Sequence, residues 1–526
     1  FYGQRQRDNN FMLDGVKNKD PLFQHINLSP PVEAIAEMKI ESGISSGAYG
    51  HASGANINVV TKSGSNEFHG NLWEYLRHNK MNARSFFTPQ LGPFKWNQFG
   101  AAAGGPLVIP KLLSKRHGWY VFGYYEGIRI RQTFNATSLL PTAEQLEGDF
   151  SRNAPIFNPY STVRNPDGTF SRQQFPGNRI PANLLNQSGL SIMKALLPLP
   201  NYPEGVIPGV NWVNPSAFNR TDSDQWSARV DHQFGSKHNF YARYSDMRVG
   251  ARSATFPALP NVRSDRNLNI VASDTIIFGP SFLVTPRFGL TRMNQTVITS
   301  PVPGLASSAG TLDAYEPFRG QEVIPPISIP GYPGLSQGVA IYGPEHEWHW
   351  TGDAQKIKGR HTLDFGGGII RTTFVTDNQS GRSVVYSTRQ TSNFAPNTGF
   401  GLASFVLGLP ESASRIFGST EGDMYGNAYS LYVQDTFRVN NKLTLNLGLR
   451  WDYAAPMINR AGSGTFIFET GQYVWDMKNP ITGEEANIRR GGIDPDRNNF
   501  QPRVGLAYSA DSKTVLRSSF GVFYDS

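Results

Sequence analysis

Leu443, Leu445, Leu447, Leu449, Trp451 and Tyr453 recur at every second position, with Thr444, Asn446, Gly448, Arg450 and Asp452 between them. A period of two belongs to a β-strand, whose successive side chains point to opposite faces. Aliphatic residues in the middle and aromatics at one end predict a strand that faces lipid and ends in an aromatic girdle. The preceding stretch sets Tyr429, Leu431, Val433, Phe437 and Val439 on one face, broken only by Asp435, and turns at Asn440-Asn441. Together the two predict a transmembrane hairpin.

Similar pairs recur along the chain. Gln225 to Phe234 and Phe240 to Arg248 flank Gly235-Ser236-Lys237; Leu268 to Phe278 and Phe282 to Met293 flank Gly279-Pro280. His349 to Ile357 and His361 to Phe374 flank Lys358-Gly359-Arg360, and Pro502 to Tyr508 and Thr514 to Tyr524 flank Ala510-Asp511-Ser512. The other connections, Gln132 to Asp224, Thr296 to Glu345, Thr376 to Tyr425 and Ala454 to Asn499, are long and rich in Pro, Gly, Asn and Ser. Alternating short and long connections predict an outer-membrane barrel of about thirteen strands, with turns on the periplasmic side and loops outside. A soluble β-sandwich or propeller also alternates polar and apolar residues. The length and one-sidedness of the loops, and the lack of a blade-length repeat, weigh against it.

The N-terminal part reads differently. Val32 to Ile40 is VEAIAEMKI, and Asn56 to Thr61 is NINVVT, a β-branched strand core that stops at Lys62-Ser63-Gly64-Ser65-Asn66. Beyond that turn Phe68, Leu72, Trp73, Tyr75 and Leu76 are interleaved with His69, Asn71, Glu74 and Arg77. A junction between two structural units is expected here, marked by Gly54, Asn56, Thr61, Lys62, Gly64 and Asn66.

This junction, with Leu13-Asp14-Gly15, the YGHASGANINVVTKSGSNEFHG run from Tyr49 and NARSFF from Asn82, resembles the TonB-dependent outer-membrane receptors, in particular the Oar-like ones. The likeness continues in order through NQFGAAAGGPLVIPK from Asn97, VFGYYEGIR from Val121, LPTAEQLEGDFS from Leu140 and YVQDTFRVNNKLTLNLGLRWDY from Tyr432. The resemblance implies an all-β-dominated fold: residues 1–66 as the later part of a plug, and residues 67–526 as an antiparallel transmembrane barrel with long extracellular loops. It also implies location in the outer membrane of a Gram-negative bacterium, and uptake of a bulky or scarce nutrient (oligosaccharide, peptide or metal chelate) driven by the TonB-ExbB-ExbD complex. The TonB-contacting segment and any carboxypeptidase-regulatory-like domain would lie upstream of Phe1. A plugged transporter has 22 strands, so about thirteen implies roughly nine more downstream of Ser526. The alternative is a cell-surface adhesion or assembly protein that keeps the barrel and binds a partner through its loops.

Composition narrows this picture in three ways. Among 526 residues 39% are hydrophobic and 12% aromatic, and no window holds the eighteen or so apolar residues of a transmembrane helix, so any membrane crossing uses strands. The formal net charge is +8, but Lys and Arg are scattered rather than gathered in a basic run. Lipopolysaccharide phosphates suit that scatter, and nucleic acid does not. The chain has no cysteine, which removes disulfide and thiolate-metal chemistry.

Three motifs invite an enzyme or metal reading, and each fails on its own terms. Gly43-Ile44-Ser45-Ser46-Gly47 and Gly334-Leu335-Ser336-Gln337-Gly338 fit G-x-S-x-G, but no helical pattern follows either one. His346-Glu347-Trp348-His349 has its histidines three apart, not four, in a strand that sends them to opposite faces. We expect both to be interfacial, beside Trp348 and Trp350. Asp494-Pro495-Asp496-Arg497-Asn498 opens like a calcium loop but lacks the Gly and Glu of an EF-hand, with Asn499 and Gly505 in their places, so a loop turning into the strand at Phe500 is the simpler account and a loosely bound surface calcium the alternative. No catalytic residue, metal or cofactor is expected. Substrate contacts are expected from loop residues able to stack and hydrogen-bond, namely Tyr160, Arg164, Tyr202, Trp212, Tyr332 and Tyr342, which could equally pack the loops together.

Overall fold

The computed structural model describes residues 5–41, 46–50, 54–83, 92–109, 111, 118–256, 260–299, 324–336, 339–378, 383–414, 421–467, 469–479 and 482–524. Its N-terminal strands β1 (Asn10–Leu13), β2 (Val16–Lys17), β3 (Ile35–Glu41) and β4 (Asn56–Thr61) form a sheet of their own, in the order β2-β1-β4-β3. The β1-β2 turn is Asp14-Gly15, both at positive φ (51° and 79°), where Gly is free and Asp is among the few tolerated side chains. That requirement accounts for the Leu13-Asp14-Gly15 motif.

The second sheet begins at His69. Thirteen strands follow one another in chain order, each antiparallel to the next. They are β5 (His69–His78), β6 (Phe94–Pro106), β7 (Trp119–Ser138), β8 (Trp212–Phe234), β9 (His238–Ala254), β10 (Asn261–Gly279) and β11 (Phe282–Thr299). Then come β12 (Val339–Lys358), β13 (His361–Asn378), β14 (Glu421–Arg438), β15 (Leu443–Ala454), β16 (Asn499–Ser509) and β17 (Val515–Gly521). The order starts at β5 and ends at β17, which are not bonded to each other, and the pair Ile458–Asn459 adds a short fourteenth member against β14. The strand count read from the sequence holds. The boundaries do not: β8 starts at Trp212 rather than Gln225, and β12 at Val339 rather than His349. One connection on the long-loop side, residues 255–260, is short.

The two faces of the sheet differ as a lipid boundary requires. On β15, Leu447 and Leu449 are each 44% exposed on the outer face, while Arg450 and Asp452 are buried on the inner one. Asp435, the break in the apolar face of β14, accepts from His361 Nδ1 at 2.7 Å, and that imidazole stacks on Phe437 at 4.3 Å. His238 and Asp274 repeat the pairing at 2.7 Å, also beside a short turn. Stacked aromatics mark the other end, Trp348 on Trp350 and Tyr429 on Tyr453. From Tyr429 to Phe437 is roughly 26 Å of strand, or roughly 20 Å of height at the usual tilt, close to the apolar band of such barrels.

The long connections condense around a shared apolar core. Leu140, Phe150, Ile156, Leu190, Met193 and Leu196 from the first meet Ile327 and Leu335 from the second and Tyr386, Leu402 and Phe405 from the third. Helix α1 (Ala143–Leu146) is closed by a Thr142/Gln145 capping box, α2 (Gln187–Leu196) by Asn186, and α3 (Gly401–Val406) lies against both. Leu190, Met193 and Leu196, three residues apart, give α2 one buried face. Pro198 disfavours helix at the residue before it, and α2 stops there.

Candidate functional site

The small sheet lies against the inner wall of the large one, and polar groups make the seam. Asp14 Oδ2 accepts from Arg243 Nε at 2.6 Å and from the Thr61 hydroxyl at 2.9 Å, and Oδ1 accepts from Thr61 N–H at 2.8 Å. The same guanidinium donates to Ser245 Oγ and Asn269 Oδ1, each at 2.5 Å, and Arg229 approaches Asp14 to 3.5 Å. The Asp14 and Arg243 side chains are only 1% and 0% exposed. Further along, Lys17 Nζ meets Glu347 at 2.8 Å, and Thr291 Oγ1 donates to the Lys17 carbonyl at 2.7 Å. Asn267 donates to the Asn27 carbonyl at 2.6 Å, and Gln225 to that of Ser29 at 3.1 Å. At the far side Arg450 donates to the carbonyls of Gly47 and Ala48 at 3.1 and 3.2 Å, and Arg503 to that of Tyr49 at 2.9 Å.

Between these anchors a cavity of about 200 Å³ remains, lined from the small sheet by Lys17, Tyr49 and Asn58 and from the wall by Arg287, His349, Asp353, Tyr432 and Arg450. His349 is therefore not interfacial as expected: it is 3% exposed on the inner face, whereas His346 stacks on Trp348 outside. Odd and even positions of β12 face opposite sides, so their three-residue spacing separates them. Ser336 follows an isolated bridge between Ile327 and Leu335, with no helix beginning there among the described residues, and Ser45 lies outside them.

The junction residues each make a specific contact. Gly54 N–H donates to the Asp8 carbonyl at 3.0 Å, Asn56 accepts from Asn10 at 3.2 Å, and Lys62 Nζ donates to the Glu33 carbonyl at 2.7 Å. Asn66 accepts from the Tyr120 hydroxyl at 2.7 Å. Gly64 passes so close to β6 and β7 that a Cβ there would sit 2.5 Å from the Val121 carbonyl oxygen and 2.6 Å from that of Gly105. Gly64→Ala should cost about 1–3 kcal/mol, because backbone atoms must move to admit it; a urea titration of the refolded protein measures this, and an unchanged midpoint would refute the close approach.

The six loop candidates are not brought together. Trp212 is 3% exposed and stacks on Phe256 at 5.0 Å, inside the loop core. Tyr332 packs against that core and donates to Gln145 at 3.3 Å; burial pushes its phenol up to about 12. Tyr202 is half-buried, its N–H on the Asn211 carbonyl at 2.9 Å. Tyr160 and Arg164 are exposed on the first long connection. Tyr342 points edge-on at Phe23 of the small unit, 5.1 Å away. Sequence reasoning missed Phe23, although Asp20 is spaced to hold that turn: its carboxylate accepts from the N–H groups of Phe23 and His25 at 2.5 and 2.7 Å.

Residues 60–526 match the family described as outer membrane beta barrel domain. The chain belongs to that family. This barrel protein therefore resides in the outer membrane of a Gram-negative bacterium, and the resemblance to Oar-like receptors is borne out by a curated relative. The TonB-dependent transporter Oar of Myxococcus xanthus is 23% identical over 510 residues, covering 86% of this chain and 43% of the relative. The barrel chain thus spans less than half of that protein's length. Among solved structures, the copper transporter OprC superposes with a TM-score of 0.50 at 10% identity, over 98% of this chain and 55% of that one. The outer membrane transporter YddB from Escherichia coli gives 0.48 at 10% identity, over 98% and 61%. At such identities the likeness concerns the fold alone.

Proposed function

We propose that this chain is the gated portion of an energy-coupled outer-membrane receptor, with residues 1–66 serving as plug and residues 67–526 as barrel wall and outer cap. The observation that carries this reading is the seam. An insert held inside a barrel by apolar packing would need a large dry surface re-exposed before it could move, whereas this one is held largely by separate polar bridges that can be broken one at a time, the buried Asp14-Arg243 pair being the costliest of them. Pulling through TonB-ExbB-ExbD is the drive that the likeness to Oar suggests. A bulky or scarce nutrient is the cargo class, captured between Phe23 and Tyr342 at the plug apex and the exposed Tyr160 and Arg164 of the cap. No catalytic step belongs to this reading.

The test uses the absence of cysteine from these 526 residues. A Cβ placed at Gly289 would lie 3.2 Å from that of Val16, so that a shift of a few tenths of an ångström, with the Val16 methyls removed, brings the pair to the roughly 3.5–4.5 Å of a disulfide. In cells producing the complete protein with Val16→Cys and Gly289→Cys, accumulation of labelled oligosaccharide, peptide and ferric-chelate probes is compared before and after reduction. We expect at least one probe to enter only when the bond is reduced and TonB is present. Uptake that persists in the oxidised protein would refute a moving plug. The compact loop core favours a second reading, display of a rigid surface for adhesion, which predicts lost cell attachment and no TonB-dependent probe.

A further inference from the structure

On the long-loop side of the girdle, the wall and the inner unit bury two carboxylates against each other. Glu345 lies five residues beyond Trp350 on β12, roughly 16 Å of strand, and so clear of the acyl region. Pairing is irregular on both flanks of residues 343–345. On β11 the partner of Glu345 is Met293 and that of Tyr342 is already Gln295, and on β13 the register passes from Thr373 opposite His346 to Thr376 opposite Tyr342. A bulge of this kind re-aims side chains. It lets Tyr342 reach Phe23 while Glu345, three positions on, faces Asp20 and Leu22 of the same turn.

Asp20 and Glu345 are both 0% exposed, but they differ in what they meet. Asp20 accepts from two backbone N–H groups of its own turn, those of Phe23 and His25, which favours its ionised form. Neither oxygen of Glu345 has a hydrogen-bond partner among the described residues. Lys17, the cation of this part of the seam, is engaged by Glu347 at 2.8 Å. Glu347 itself adds negative charge from the same strand, and β13 contributes Asp377, buried further from the girdle. Met293 and Gln295 of β11 are uncharged, His25 is exposed on the turn, and His346 and Arg292 stand across from each other on the outer face. An ionised carboxylate without donors is costly in such a place, whereas a neutral carboxyl is not. Burial first and Asp20 second push the Glu345 carboxyl up to about 8, against a smaller opposing effect of the Leu22 N–H.

We propose that Glu345 is a proton-dependent clasp: the turn at residues 20–25 closes on the wall while Glu345 carries a proton, and is released when Glu345 ionises. The proton leaves to the medium on the long-loop side. Docking raises the carboxyl from its ordinary value of 4.5, so the docked form holds a proton that the released form has already given up. Closure is therefore complete below about pH 4.5 and is lost as pH rises towards 8. The inference rests on the docked geometry and stands whether or not cargo is carried.

Infrared difference spectra of the complete protein in nanodiscs at pH 6 read the protonated carboxyl directly: Glu345→Gln should remove a carboxylic-acid band that the wild type shows. Spin labels on Gln24→Cys and Ser264→Cys follow docking of the turn across a urea series. Between pH 6 and 8 the docking equilibrium of the otherwise wild-type protein should weaken about tenfold to fiftyfold, the linkage of one proton. Glu345→Gln imitates the protonated form, and its docking should change by about twofold or less over the same range. His25→Asn should keep the wild-type slope, since the histidine on the turn is not the group that titrates. An unchanged acid band at pH 6, a flat response of the wild type, an undiminished slope in the glutamine variant or a slope lost with His25→Asn each overturns the proposal.

Discussion

Asp14→Ala is expected to lower the stability of the docked inner sheet by about 3–5 kcal/mol, the usual cost of stranding one member of a buried ion pair. Arg243 would keep Ser245 and Asn269 but lose its counter-charge in a place with no access to water. Thr61 would lose the acceptor for both its N–H and its hydroxyl, loosening β4 at the point where the chain leaves for the barrel. Combining Asp14→Leu with Arg243→Met should recover most of the loss, because removing both charges leaves neither unpaired. Hydrogen exchange of the β1 and β4 amides across a urea series reads the effect. Protection in the alanine variant equal to that of the wild type would show that the pair does not hold the sheet.

Leu447→Arg should destabilise the barrel by about 2–4 kcal/mol, the penalty for a cation near the bilayer midplane. Leu447 lies midway between Leu443 and the girdle residue Trp451 on β15 and is exposed outward. Asn446→Arg, one residue away, points inward beside Gln434 and Arg503 and should cost much less. A refolding titration into lipid vesicles compares the two, and similar losses at both would contradict the assignment of faces.

The strands were legible where two environments differ. Leu443 to Tyr453 alternates because one side meets lipid and the other polar groups, and that contrast is written in residue type. Between Trp212 and Asp224 the strand continues above the bilayer, where Arg220, Asp222 and Asp224 face water on the outer side. Alternation of geometry persists there without alternation of polarity, so the sequence carries no period to read. Helix α2 left a faint signal in Asn186 and the spacing of Leu190, Met193 and Leu196, diluted by Gly189 and three serine or glutamine neighbours. The seam was invisible for another reason: Asp14 and Arg243 are 229 positions apart, and nothing local to either names its partner. Of the loop aromatics, Trp212 and Tyr342 look alike in sequence; only their surroundings distinguish a core residue from one facing the inner unit.

The apolar core of the cap draws on three connections separated by several strands, and this has a consequence for how such a surface can change over generations. Phe405 packs with residues from the first connection, and Arg172 in the first connection donates to the carbonyls of Arg389, Gln390 and Ser392 in the third. A foreign loop spliced in at one site would leave its neighbours with uncovered leucines and unmatched donors. New specificities would therefore arise by exchange of the whole block from β7 to β14, or by small steps at exposed tips such as Tyr160 and Arg164, and not by shuffling loops one by one.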